Sequence, residues 1–449
     1  MKSKSNGLYM FALICLSLGL NAQVDPQVFT LKESVKYALE HSLEVQKALL
    51  NIDQADHVIG ELKSQGLPQI NGNGDLQNFP NIPTQLLPGE IVGQPPGTYI
   101  PVQFGTEYTA NVGIDATQLI YDQTFFAGLK AARTSEELYS LLKLGTDQDV
   151  IYAVANAFYS VLEIGAQKEV LEANIVQIEK LEELMKTRYE NDLVTKIDYN
   201  RLKVNRTNLE TNRESLLTQE TNQKNYLKLL MGMPMNAEIE LEAQENMADI
   251  TLVSLENEKL EPTQVKIINK QIELSILNKK SVGAGYAPTL SAFGQQSWQA
   301  QRNEFNFLES GQPWFQQTVI GVRLKVPIFD GLRKHHQMAQ TKIDIDKAEI
   351  DRMNVERNNT MEYENAKEKL YNTLKSVEAQ KENKDLAQEV YDQTKELYGQ
   401  SVSTLTDFLN AENALREAQI NYYRQLLKFK QAELDLLKAQ GQLIAIAKS

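Results

Sequence analysis

The sequence predicts an internally duplicated α+β chain in which very long helices adjoin two hairpins of β-strands. Three observations carry this. The first is a repeated helix break: YGQSVSTLTDFLNAE at 398–412 has a counterpart in YENDLVTKIDYNRL at 189–202, and 404 − 195, 407 − 198 and 398 − 189 each give 209. The second is period-two alternation in two segments, TEYTANVGIDATQL and TVIGVRLKVPIF. The third is a seven-residue series, Phe408, Leu415, Tyr422, Phe429 and Leu436, with another in Leu202, Leu209, Leu216 and Leu230 around the polar Gln223, as coiled-coil seams require.

The elements follow in order. Residues 1–22 read as a secretory signal peptide, because Lys2 and Lys4 precede an apolar run from Leu8 to Leu20 that Ala22 follows. The run is too short for the ~20 residues of a spanning helix. Cys15, the only cysteine, lies inside it and is preceded by Ile14, so neither lipidation nor thiol chemistry is expected of the mature chain. Residues 23–66 read as an N-terminal helical segment, and 67–122 as a first strand hairpin with a long connection. That connection holds FPNIPTQLLPGEIVGQPPGTYIP, whose prolines cannot donate to a sheet ladder, which predicts a surface loop beyond the strands. A helical hairpin is expected over 123–232, with no proline from Phe125 to Tyr189, and a joining segment over 233–262. The second repeat then supplies a helix over 263–286, a strand hairpin over 287–330 and a helical hairpin over 331–449. Pro68 matches Pro288 and Asp122 matches Asp330 between the halves, so the duplication spans the chain.

Each helix break is a stop and a restart. Gly399 is expected to take the left-handed conformation that ends a helix, and Thr404 with Asp407 has the capping-box spacing of a new one, as have Thr195 and Asp198.

In the strands, Tyr108, Ala110, Val112, Ile114 and Ala116 share one face, as do Ile320, Val322, Leu324, Val326 and Ile328, with Arg323 and Lys325 opposite. A soluble sandwich and a membrane barrel both give this pattern. Four strands cannot close a barrel. If they enter lipid, other copies of the chain must pair their edges, because the hydrocarbon offers no water to orphaned backbone groups.

Composition excludes several classes. A net charge of −13 over 449 residues, with pI near 5.1, disfavours nucleic acid, which needs concentrated Lys and Arg. His41, His57, His335 and His336 lack the spacing of a metal site, and Gly72 and Gly74 lack the Lys-Ser/Thr of a phosphate loop. No set of nucleophile, base and orienting group emerges, so no cofactor is expected and the chain is not read as an enzyme.

With LPQI and APTLSAFG opening the strand hairpins, LIYD and PIFD closing them and two paired tips, the chain resembles the TolC-type outer-membrane efflux family over nearly its whole mature length. The resemblance implies a homotrimer in which four strands per chain build one transmembrane β-barrel, continuous with a coiled-coil α-helical barrel across the periplasm. It further implies the exit duct of a tripartite efflux or type I secretion system, passive and non-enzymatic, set in outer-membrane lipid. A periplasmic adaptor (membrane-fusion) protein would join it to an inner-membrane pump of RND, ABC or MFS type. Carried over, Tyr398 and Asp198 fall on positions that hold the periplasmic entrance shut, Asp407 on a constriction-ring aspartate, and Asn410 on a second acidic position of that ring. A latching arginine falls on Ser403. The adaptor-docking tips fall on Asp192, Leu193, Val194 and Thr195 and on Ser401, Val402, Ser403 and Thr404; glycines of better-known members stand at Asp192 and Ser401. Trp298 and Trp314 flank the turn of the second strand hairpin as candidate interfacial aromatics.

Plainer readings stand beside these. Asp198 and Asp407 sit where a carboxylate caps a helix whatever its function, half-buried aromatics occur in any sheet, and a periplasmic or surface coiled-coil scaffold without transport activity is the alternative for the whole chain.

Overall fold

In the computed structural model, residues 27–242 and 261–448 are described. The signal segment and residues 243–260 of the joining segment lie outside them. Two helices dominate, α3 (Gln123–Glu190, 68 residues) and α6 (Arg333–Gly399, 67 residues). At ~1.5 Å per residue each is about 100 Å long. Nearer the sheet they pack with α2 (Leu43–Ser64) and α5 (Thr263–Ala284); towards their far ends they pack with α4 (Lys196–Met231) and α7 (Leu405–Ala439). The packing order at that end is α4–α3–α7–α6, so α4 and α6 form its flanks.

The heptad stripe of α7 is its buried face: Phe408, Leu415, Tyr422, Phe429 and Leu436 are all buried. In α4, Leu202 and Leu209 are buried while Leu216 and Leu230 are only half-buried. That stripe loosens where α4 passes from the tip layer to the middle of the shaft. There α1 (Leu31–His41) joins α3, α4 and the short α8 (Ala445–Lys448) around Val35, Ile151, Val154, Phe158, Leu227 and Met231. Thr30 and Glu33 form a capping box that starts α1, and the chain breaks at Ser42 (φ −58, ψ 133) before α2.

The sheet has four antiparallel strands in the order β2 (Gln69–Asn78), β5 (Tyr108–Tyr121), β7 (Thr289–Arg302), β8 (Phe315–Lys325). The register places Ile70, Ala116, Gly294 and Ile320 in one row across it, with Val112 and Trp298 higher on the same face. The opposite face carries Asn71, Asp115, Gln295 and Val319 in one row and Asn73, Gly113, Ser297 and Gln317 in the next. Arg323 lies 4.9 Å from the Phe293 ring centroid, and a Cβ at Gly321 would come within 2.8 Å of that ring. Here the glycine makes room for the aromatic side chain. Val326 and Ile328 continue the alternation in sequence, but β8 ends at Lys325, since Pro327 has no N–H with which to extend the ladder.

Two smaller sheets were not legible in the sequence. β1 (Gln27–Phe29) pairs in parallel with β6 (Ile239–Leu241), tying the start of the described chain to the joining segment. The proline-rich connection between β2 and β5 forms a hairpin of its own, β3 (Thr84–Pro88) with β4 (Tyr99–Gln103). Pro101 is tolerated because a two-stranded ribbon leaves one side of each strand without partners.

Candidate functional site

The site is the pair of tips where α3 turns into α4 and α6 into α7. Both use the same backbone. At the first, Asp192 N–H donates to Tyr189 O (3.0 Å) and Leu193 N–H to Arg188 O (2.8 Å); at the second, Ser401 N–H donates to Tyr398 O (3.0 Å) and Val402 N–H to Leu397 O (2.9 Å). This doubly bonded turn ends a helix with one residue in the left-handed region. That residue is not Gly399, which is the last residue of α6, but Ser401 (φ 61), matched by Asp192 (φ 58). The turn bonds fix the left-handed position two residues beyond Gly399, so the glycine-to-serine and glycine-to-aspartate departures keep the backbone geometry. Leu193 and Val402 project from the tips, 73% and 70% exposed, and Val194 and Ser403 are half-buried.

The restarts are side-chain caps. Thr404 Oγ1 accepts from Asp407 N–H (3.1 Å), while Asp407 Oδ2 accepts from Thr404 N–H (3.2 Å) and from its hydroxyl (2.6 Å). These bonds hold the Asp407 carboxyl below the usual carboxylate range. At the first tip Thr195 Oγ1 accepts from Asp198 N–H (3.2 Å) and donates to Asp198 Oδ2 (2.7 Å). Asn410 is exposed one turn beyond Asp407.

Tyr398 is half-buried between Arg188 and Asp198, and burial is the main cause of its raised pKa. Among the described residues its hydroxyl contacts Met185 Sδ (3.4 Å) and makes no hydrogen bond to Asp198. Its ring stacks on Phe408 (5.4 Å), which also meets Tyr391 (5.8 Å). A second link, between the two restarts, is made by residues that sequence reasoning missed: Arg201 donates from Nη1 to Thr406 Oγ1 (2.9 Å) and lies 3.7 Å from Asp198. Its only sequence signal was its place three residues after Asp198. Trp298 is in β7 and Trp314 immediately precedes β8, both partly exposed at the turn end of that hairpin; Trp314 meets Phe307 (6.3 Å), itself against Phe305.

Among the described residues no helix is long and apolar enough to cross a membrane. Residues 277–442, from the end of α5 through α7, match the family described as outer membrane efflux protein. No curated protein matches the chain in sequence. Among solved structures, the outer membrane protein VceC of Vibrio cholerae is 16% identical with a TM-score of 0.69, covering 92% of this chain and 96% of its own. The Campylobacter jejuni CmeC outer membrane channel is 13% identical with a TM-score of 0.69, covering 92% and 85%. The open state of the Neisseria gonorrhoeae MtrE outer membrane channel is 16% identical with a TM-score of 0.69, covering 92% and 88%. At such identities the likeness establishes a shared fold, over almost the whole length of both partners.

Proposed function

We infer that this chain, whose residues 277–442 carry the outer membrane efflux protein domain, is an outer-membrane exit duct that passively conducts substrates delivered from the periplasmic side. The observation that carries this is the sheet. One face is exposed and the more apolar, with Ile70 at 69%, Val112 at 49%, Ile320 at 85% and Val322 at 64%, while the opposite face is the more polar, with Asn71, Asn73, Asp115, Gln295 and Gln317 beside Phe293 and Val319. In water such a face is a liability; against lipid, with a polar face lining a lumen, it is a barrel wall.

The edges β2 and β8 have no partner strand among the described residues, and lipid does not tolerate open edges. Closing the wall takes further copies, and three supply the twelve strands of the resembled barrel. The flanks of the helical shaft support the same reading. Ile197 and Val204 on α4 and Leu386, Val390 and Leu397 on α6 are exposed apolar residues at heptad-like spacing, which α4 of one copy and α6 of the next can bury together. A periplasmic adaptor would seat on the tips through Leu193 and Val402 with the polar Asp192, Thr195, Ser401, Ser403 and Thr404 around them, and an inner-membrane pump would feed the duct.

In this reading Asp407, with Asn410 a turn above it, borders the periplasmic mouth. In a symmetric trimer one aspartate becomes a ring of three, which favours cations in a narrow pore. Asp407→Ala is expected to lower cation selectivity in planar bilayers and weaken block by multivalent cations. Thr404→Ala is the control, since it weakens the cap without removing a charge. If the two variants behave alike, Asp407 is a helix cap and has no pore role.

A further inference from the structure

Glu412 lies two turns into α7, above the tip, and is 1% exposed. Neither of its carboxylate oxygens has a hydrogen-bond partner among the described residues, nor has the Tyr391 hydroxyl that faces it from α6. A buried carboxyl without partners is costly as an anion, at several kcal/mol for a desolvated ion, and tolerable as a neutral acid. The surroundings offer little compensation. From α6 come Tyr391, its neighbour Asp392 and Lys395, whose Nζ sits 5.7 Å from the Tyr391 ring centroid. From α7 itself comes Arg416, half-buried, with Nη2 donating to Asn413 Oδ1 (2.8 Å) and Nη1 without a partner. On the neighbouring helices, Arg206 of α4 is already engaged by Glu182 of α3 (3.3 Å) and by Glu210 (3.5 Å).

The layer is coupled to the tip. Tyr391 meets Phe408, Phe408 stacks on Tyr398, and Tyr398 reaches Met185 of α3, so a shift of Tyr391 is passed through three packed side chains to the turn.

We propose that Glu412 is a proton-binding positioning residue for the periplasmic mouth: neutral, it lets Tyr391 and Phe408 hold Tyr398 in place; ionised, it draws Arg416 inward and loosens the tip. This rests on the duct reading above for its functional meaning. Burial pushes the Glu412 carboxyl up to about 7, with Arg416 partly opposing. Because this carboxyl is raised, its contribution to the packed layer is full below the ordinary carboxylate range and is lost as pH rises through about 7. Asp407, held low by Thr404, titrates outside that window.

The test compares the wild type with Glu412→Gln, a neutral acid's isostere, at pH 6 and pH 8.5. Spin labels are placed on cysteines at Leu193 and Val402, the exposed tip residues. Wild-type trimers in bilayers are expected to conduct at least about twofold more at pH 8.5 than at pH 6, since ionisation of a site near pH 7 runs from about a tenth to nearly complete across that interval. The label distances are expected to broaden in parallel. Glu412→Gln should stay in its pH 6 form by both readouts. The inference is overturned if the wild-type tip distances do not change with pH, or if they change equally in Glu412→Gln. Because the distances are read without conduction, a chain that forms no channel fails the duct reading while still deciding the proton site.

Discussion

Gly232→Ala is expected to abolish recovery of the assembled protein. Gly232 ends α4 in the left-handed region (φ 74), where its N–H donates to Leu229 O and the following Met233 N–H to Lys228 O. An alanine there costs ~1–2 kcal/mol from backbone conformation alone. Steric overlap costs more: a Cβ would lie 2.2 Å from the carbonyl oxygen of His41 and 2.8 Å from its carbonyl carbon. Both are backbone atoms at the break between α1 and α2, and that carbonyl also accepts from the Gln46 side-chain amide (3.1 Å). Neither side can yield without opening the core of Val35, Leu227 and Met231. A total of at least about 3 kcal/mol follows, at the severe end of what single substitutions do. The yield of folded protein extracted from the membrane fraction is the readout; Gly60→Ala, where an added Cβ meets nothing within 4 Å in α2, should leave the yield unchanged.

Ile320→Arg should be nearly as severe, by a different route. Ile320 is in the middle of β8 on the apolar face, 85% exposed in one chain. If that face meets lipid, a cation near the bilayer midplane costs ~2–4 kcal/mol per copy, and three copies add. Gln317→Arg is the paired experiment, because Gln317 belongs to the polar face beside Ser297. Outer-membrane yield should fall at least about tenfold for Ile320→Arg and little for Gln317→Arg. Equal tolerance of both would mean that the sheet does not face lipid, and would favour the scaffold reading.

The parts of this fold legible in sequence are those set by short-range periodicity. The alternation over 108–116 marked the two faces of β5, the spacing of Thr404 and Asp407 marked the restart of α7, and the heptad of Phe408 to Leu436 marked its buried stripe. What stayed hidden depends on pairing at long range. Three residues, Gln27–Phe29, become a strand only because Ile239–Leu241 lies beside them, and no local pattern announces a parallel pair that short. The hairpin of β3 and β4 was masked by its prolines, which signal a loop and here stand within the strands, as Pro88 and Pro101, and in the connection between them, as Pro95 and Pro96. At the tips, residue types pointed to Asp198, Tyr398 and Asp407, but a bond between the two restarts belongs to Arg201 and Thr406, 205 residues apart. Glu412 was equally invisible, since a glutamate in a long helix reads as solvated until the packing shows it buried.

The most direct measurement is the mass of the mature chain extracted from the outer-membrane fraction in mild detergent, corrected for bound detergent. A complex of three copies that forms channels when added to a planar bilayer is the expected result. Recovery only from the soluble periplasmic fraction, or a monomer or dimer that still conducts ions, would contradict the conclusion that four strands per chain require partners to close the wall.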